Sequence, residues 1–222
     1  VDAREEPLIL HNPTVIISHN KAWNREKPRT GMVKEYNLKE WYEGIMKLPE
    51  HDKNLAKANS SEVARDFFIF ILFTGMRRNE VLTLKWEDID LKDKTFTVGK
   101  TKNHEGLRLP LTWILLDILE RRKNDNGNPY VFEGEKPNSH LSPPKKQIEK
   151  ARELVGFHFT NHDLRRTFAT TAEHLDVGTY KLKRMMNHST GRNDVTAGYT
   201  VLTAETLRSA AEKIQDQLIS HT

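Results

Sequence analysis

Four short segments of this 222-residue chain carry side chains suited to chemistry on a phosphodiester. They are Thr74-Gly75-Met76-Arg77-Arg78-Asn79-Glu80, Thr101-Lys102-Asn103, His162-Asp163-Leu164-Arg165-Arg166, and Asn187-His188 followed by Tyr199. Displacement at phosphorus spreads negative charge over the non-bridging oxygens. A guanidinium binds such oxygens bidentately and stays charged at any working pH. Arg77 and Arg165 are the candidates for that task, each placed by the pattern near a helix N-terminus, where partial positive charge adds to its own. His162 and His188 offer hydrogen bonds, or a titratable proton near neutral pH. Lys102, on a hairpin turn, suits protonation of a departing oxygen. The Tyr199 hydroxyl is a competent nucleophile that forms a covalent phosphoryl intermediate. With these cations around the phosphate, the chemistry calls for no metal and no other cofactor.

Taken singly, each motif also has a plainer reading. Arg77 and Glu80 stand at i,i+3 and would make a solvated ion pair worth a few tenths of a kcal/mol. Lys102 would be an ordinary turn lysine, Asp163 an N-cap, and Tyr199 a core aromatic. The set in its order says more. Arg77, Lys102, His162, Arg165, His188 and Tyr199 resemble the catalytic constellation of tyrosine recombinases, most closely phage and prophage integrases. The family's first box, Thr-Gly-x-Arg-x-x-Glu, stands whole at Thr74–Glu80. Its hairpin lysine matches Lys102 rather than Lys100, by the distance to Pro110. The second box, His-x-x-Arg, is His162 to Arg165, and Val195-Thr196-Ala197-Gly198-Tyr199 carries the tyrosine. In two places the chain departs from the pattern. Asn187 replaces the usual Gly before His188, changing the helix end but not the imidazole. The gap from His188 to Tyr199 is two residues longer than is common, an extension that a surface loop absorbs.

The resemblance implies an enzyme that cuts and rejoins DNA at specific attachment sites, in phage or mobile-element integration and excision. By position, Tyr199 attacks the scissile phosphate to leave a 3′-phosphotyrosyl link. Arg77 and Arg165 bind the phosphate oxygens, Lys102 protonates the 5′-oxygen, His162 assists proton transfer and His188 donates to the phosphate. Glu80 buttresses the first box. The reaction would need neither ATP nor a divalent ion. The resemblance further implies a homo-tetramer on double-stranded DNA, with DNA-bending or directionality proteins as accessories, and a bacterial cytoplasmic location at the nucleoid. Lys100, Lys145, Lys146, Arg166, Lys183, Arg184 and Arg192 are the basic side chains picked out for DNA phosphates.

Several elements must position these groups. Leu38, Trp41, Ile45 and Leu48 follow helical spacing, with Asn37 as N-cap and Pro49 closing. Ser60-Ser61-Glu62 is read as opening a second helix through Phe67–Phe73, broken by Gly75, and a short helix runs from Arg77 to Leu84. Trp86–Leu91, Thr95–Val98 and Leu107–Leu111 read as a three-stranded meander. Helices follow at Trp113–Lys123, Pro144–Val155, Asp163–Leu175, Thr179–Met186 and Ala204–Ile219. The last carries an apolar stripe at Leu207, Ala211, Ile214 and Leu218, which fits packing in cis; the resemblance adds a docking role on a neighbouring protomer. The fold class is α+β, mostly helical with a small antiparallel sheet. Residues 1–30, with Pro7, Pro13 and Pro28, are expected to be a linker or the tail of a preceding core-binding domain, and residues 31–222 the catalytic domain.

Composition sets the outer limits. Charged residues make up 30% and hydrophobic residues 36%, and the mean hydropathy is −0.69; this is polar, yet too apolar for disorder. The longest apolar run, Phe67–Phe73, is far too short to span a bilayer. The acidic start Val1-Asp2-Ala3-Arg4-Glu5-Glu6-Pro7 has no apolar core, so no secretory signal is expected, and the missing initiator Met suggests a piece of a longer chain. Without cysteine there is no disulfide framework or thiolate metal site, and a reducing compartment fits. A net charge of +4 permits a polyanion partner without demanding one. Of the rival readings, a type IB topoisomerase shares the chemistry but fits the box spacing less well. A metal nuclease built on His158, His162, His174 and His188 lacks a carboxylate cluster, and a non-catalytic DNA-binding relative would not retain every chemical position.

Overall fold

Seven consecutive apolar residues, Phe67 to Phe73, are all at most 2% exposed, so this half of the helix carrying them is apolar on every side and must be enclosed by other elements. In the computed structural model that helix is α2. The structure describes residue 15 and residues 30–51, 55–99, 106–123, 127–188 and 203–222. The chain divides into two units, Val1–Thr30 and Gly31–Thr222; every element below lies in the second.

A 3-10 turn at Glu35–Asn37 leads into α1 (Leu38–Met46), followed by α2 (Leu55–Thr74) and α3 (Arg78–Leu82). A second 3-10 turn (Trp86–Asp88) precedes β1 (Ile89–Asp90), β2 (Thr95–Val98) and β3 (Leu107–Pro110). Then come α4 (Trp113–Arg122), α5 (Lys145–Val155), α6 (Asn161–His174), α7 (Thr179–Met185) and α8 (Ala204–Ser220). The strands pair antiparallel in the order β1-β2-β3, with Ile89 opposite Phe96 and Phe96 opposite Leu109. Phe96, Val98, Leu107 and Leu109 turn to the core. Arg108 turns outward and bonds Asp90 (2.9 Å), Asp93 (2.8 Å) and Thr95 (2.8 Å).

Aromatic edges tie α2 to its surroundings. Phe70 meets Phe96 of β2 at 5.6 Å and Phe132 at 5.4 Å, and Phe68 meets Phe159 at 6.0 Å. Each such pair adds about 0.5–1.5 kcal/mol to the burial of its rings. Helix α6 packs along α2, and α8 lies across β3 and α6. The stripe of α8 is covered in cis: Leu207, Ile214 and Leu218 are 0% exposed. Buried Gln215 accepts the Ile114 N–H at 3.1 Å, satisfying a donor at the start of α4.

The mostly helical class and the meander agree with expectation, but four boundaries differ. Helix α2 starts at Leu55, not at Ser60. The strong helix formers Leu55-Ala56-Lys57-Ala58 extend it, and Ser60 Oγ accepts from Gln147 Nε2 at 2.9 Å instead of capping. Asn37 makes no side-chain cap: it closes the preceding 3-10 turn at ψ −2°, not with the extended backbone from which a side chain caps. The first strand shrinks to two residues, since Trp86–Asp88 coils after Trp86 N–H bonds Pro129 O at 2.9 Å. Helix α6 begins at Asn161 with Thr160 as N-cap, so Asp163 lies inside the first turn.

Candidate functional site

The first box is a helix end turned sharply into a helix start. Thr74 Oγ1 donates to Phe70 O (2.6 Å) and accepts the Met76 N–H (3.3 Å), while the Gly75 N–H closes on Ile71 O. Gly75 sits at φ +62°, a conformation that costs other L-residues about 1–2 kcal/mol. Space excludes a side chain there as well, because a Cβ would lie 2.9 Å from Phe168 Cγ and closer still to Cδ1. The turn delivers Arg77 to the N-cap of α3. Glu80 fastens it there, its Oε2 accepting the Arg77 N–H (2.8 Å) and its Oε1 the Arg77 Nη1–H (3.1 Å).

The second box is fixed by a capping box. Thr160 Oγ1 accepts the Asp163 N–H (3.2 Å), and Asp163 Oδ2 accepts both the N–H (2.9 Å) and the hydroxyl (2.8 Å) of Thr160. This start sets the rotation of α6, burying Arg165 to 5% exposure and leaving His162 exposed one turn earlier. Arg165 is the fifth residue of α6, beyond the first turn in which the helix dipole acts, so the expected N-terminal assistance applies only to Arg77. The Arg165 guanidinium crosses to other elements: Nη1 donates to Gly75 O, and Nη2 to Met186 O at 2.9 Å.

Helix α7 ends where both guanidiniums meet. Asn187 adopts φ +50°; its N–H bonds Arg184 O (3.1 Å), and the His188 N–H bonds Lys183 O (2.9 Å). That is a Schellman ending, in which asparagine takes the left-handed position that glycine usually fills. Asn187 O accepts from Arg77 Nη1 at 2.7 Å, and Asn187 Nδ2 donates to Glu80 Oε1 at 2.7 Å. The carboxyl end of α7 is thus held by Arg77 and Arg165 together, with His188 following at once.

Burial, and then the charge of Arg77, lowers the Arg165 pKa to about 10, so it remains charged at neutral pH. Partial desolvation, then Arg165 and Arg77, pushes the His188 imidazole below its ordinary value. It is therefore neutral at pH 7 and keeps one N–H to donate. Among the described residues, the Nε and Nη2 groups of Arg77 have no hydrogen-bond partner, and its side chain is 49% exposed. The arrangement therefore offers unused guanidinium donors, a second buried cation and a neutral imidazole to an approaching anion.

Arg77, Arg165 and His188 are thus brought together, and His162 shares α6 with Arg165. Lys102, Tyr199, Lys100 and Arg192 lie outside the described residues. Lys145 and Lys146 are exposed in the first turn of α5. Arg166 donates to Gly31 O at 3.3 Å. Lys183 and Arg184 occupy the last turn of α7, the Lys183 ammonium 5.9 Å from the Tyr180 ring centre. His158 precedes α6 and His174 ends it. Among the described residues, no three His, Asp or Glu side chains gather where they would hold a metal, and no helix is long and apolar enough to cross a membrane. Sequence reasoning missed the side-chain role of Asn187. The available signal was an asparagine at a helix end where glycine is usual, since asparagine tolerates the same backbone and brings an amide.

Comparison with known proteins places these features in a wider set. The phage integrase family profile matches residues 39–205. Prophage integrase IntF of Escherichia coli (strain K12) is 26% identical over 162 residues, covering 70% of this chain and 32% of the relative. The chain spans about a third to three fifths of the length of the curated relatives it matches. The integrase from mycobacterium phage Brujita superposes with a TM-score of 0.62 at 19% identity, over 89% of this chain and 65% of that one. The XerH site-specific recombinase, solved bound to its difH substrate in a pre-cleavage complex, gives 0.57 at 22% identity, over 85% and 51%. At such identities the likeness shows a shared fold.

Proposed function

The chain belongs to the phage integrase family, and from that premise we propose that residues 31–222 form the catalytic domain of a site-specific DNA recombinase, with residues 1–30 the tail of a preceding core-binding domain. The observation that carries this reading is the meeting of Arg77 and Arg165 at the end of α7 beside His188. Two guanidiniums and a neutral imidazole suit the equatorial oxygens of a phosphoryl transition state. Tyr199 is the nucleophile: its Oη forms the bond to phosphorus, the P–O5′ bond breaks, and a 3′-phosphotyrosyl ester and a 5′-hydroxyl result. The tyrosine proton leaves with help from His162, and Lys102 supplies a proton to the departing 5′-oxygen. Rejoining reverses each transfer when a second strand's 5′-hydroxyl attacks and Tyr199 departs.

One phosphoester replaces another, so the step consumes no ATP, and the cationic side chains take the part a divalent ion would play. The partner is a DNA duplex carrying specific attachment sites, engaged by four copies with DNA-bending or directionality proteins assisting, in the cytoplasm at the nucleoid of a bacterial host. Lys145, Lys146, Arg166, Lys183 and Arg184, with Lys100 and Arg192, contact DNA phosphates. The net charge of only +4 over the whole chain suits weak, salt-dependent binding by this piece on its own. The biological setting is integration or excision of a phage or other mobile element.

Covalent trapping tests the reading. A nicked suicide duplex carrying the junction sequence of the element that encodes the chain is incubated with protein in excess EDTA, with Tyr199→Phe alongside. An SDS-resistant adduct is expected with Tyr199 and none with Phe. An absolute requirement for Mg²⁺ would overturn the metal-free mechanism, and an adduct persisting in Tyr199→Phe would overturn the choice of nucleophile.

A further inference from the structure

Asn187 does more than end a helix. A glycine at that left-handed position would complete the same Schellman turn, so the amide side chain answers a different need. Its Nδ2 donates to Glu80 Oε1 at 2.7 Å, while its main-chain carbonyl accepts from Arg77 Nη1 at 2.7 Å. Arg77 Nη1 is therefore shared between Asn187 O and Glu80 Oε1, the latter at 3.1 Å. A Cβ at Gly99, at the end of β2, would sit 3.7 Å from the same Nδ2. The amide thus stands where the first box, α7 and the sheet converge.

A carboxylate beside a guanidinium tends towards a bidentate fork, with two parallel N–H···O bonds. Glu80 has the means to draw Arg77 into such a fork, which would take up Nε and Nη2, the donors without a partner among the described residues. The Asn187 amide occupies Glu80 Oε1, and the Asn187 carbonyl holds Nη1 away from full capture. We infer that Asn187 is a positioning residue: it sets the orientation of Arg77 and keeps Nε and Nη2 available to an incoming phosphate. Its catalytic consequence rests on the recombinase reading; the tether itself does not.

The test therefore joins one readout without DNA to one with it. Nitrogen-15 NMR of the free protein follows the Arg77 guanidinium, identified by the signals lost in Arg77→Lys. In the wild type the Arg77 Nε and Nη2 protons are expected to exchange fast with solvent; in Asn187→Gly, capture by Glu80 should slow them and shift their signals, with the thermal midpoint unchanged. Single-turnover cleavage of the nicked junction duplex should slow about tenfold in Asn187→Gly, the size of losing one hydrogen bond to a charged group. Asn187→Asp sets two carboxylates face to face, and they must share a proton. Its cleavage rate should rise on acidification in a way the wild type does not show. Adding Glu80→Gln restores a donor–acceptor pair with reversed polarity, and should recover much of the rate and remove that pH dependence.

Wild-type Nε and Nη2 protons already protected, or signals unchanged in Asn187→Gly, would overturn the inference, whatever the cleavage rate does. Captured donors with an unchanged cleavage rate would also overturn it. Donors captured in Asn187→Gly, in a protein that forms no adduct even as wild type, would leave the tether standing and refute the recombinase reading instead.

Discussion

Gly75→Ala separates two constraints that meet in the first box, a backbone at φ +62° and the ring of Phe168. The left-handed conformation alone costs an alanine about 1–2 kcal/mol. The added Cβ intrudes on a ring that is only 1% exposed, and such overpacking costs about 1–3 kcal/mol. A central value of about 3 kcal/mol should lower the melting temperature by about 6–12 °C for a domain of this size. A double-mutant cycle divides the sum. Phe168→Ala by itself should cost about 3–5 kcal/mol. On that background Gly75→Ala should cost only the backbone part, about 1–2 kcal/mol. Chemical denaturation followed by circular dichroism measures all four proteins. An equal cost of Gly75→Ala on both backgrounds would refute the ring contact as a constraint, and a cost below about 0.5 kcal/mol in the wild type would refute both. Since Gly75 O accepts from Arg165, the same substitution should depress cleavage at temperatures where the domain stays folded.

Two further outcomes follow from the charges at the end of α7. Arg77→Lys keeps the charge but loses the planar fork, so cleavage should fall by about 10² while DNA affinity changes little; wild-type cleavage would remove Arg77 from the phosphate. His188 has a folded pKa below its unfolded one, so the unfolded chain binds more protons and stability drops as pH falls through the unfolded value of about 6.5 towards the folded one. Arg77→Ala removes one cause of that depression, so the His188 pKa should rise and the acid-side loss should shrink. An NMR titration of the imidazole showing no rise would contradict this.

The sequence is most informative where a pattern is local. Leu38, Trp41, Ile45 and Leu48 read as one helical face and are all buried at 0–1% exposure, and the boxes around Arg77 and Arg165 could be recognised from residue order. It is least informative where a local signal competes with a distant partner. Ser60 looks like a cap but serves Gln147. Asp163 looks like an N-cap until Thr160, three residues earlier, takes that place. The bonds from Asn187 to Glu80 and Arg77 span more than a hundred residues of chain, and no periodicity encodes them.

The covering of β3 and α6 by α8 bears on the order in which the protein comes off the ribosome. Every side chain proposed for chemistry is translated before Leu207, Ile214 and Leu218, which fill the core from the far side, and before Gln215, which completes the start of α4. Arg208, donating to the carbonyls of Asp93, Lys94 and Leu111, arrives equally late. A nascent chain that has released Tyr199 but not α8 therefore carries all the reactive groups on an unsealed core. Helices α2 and α6, which hold Arg165 against Gly75, gain that cover only when α8 docks, so the seal on the site is the last part of the described core to be made.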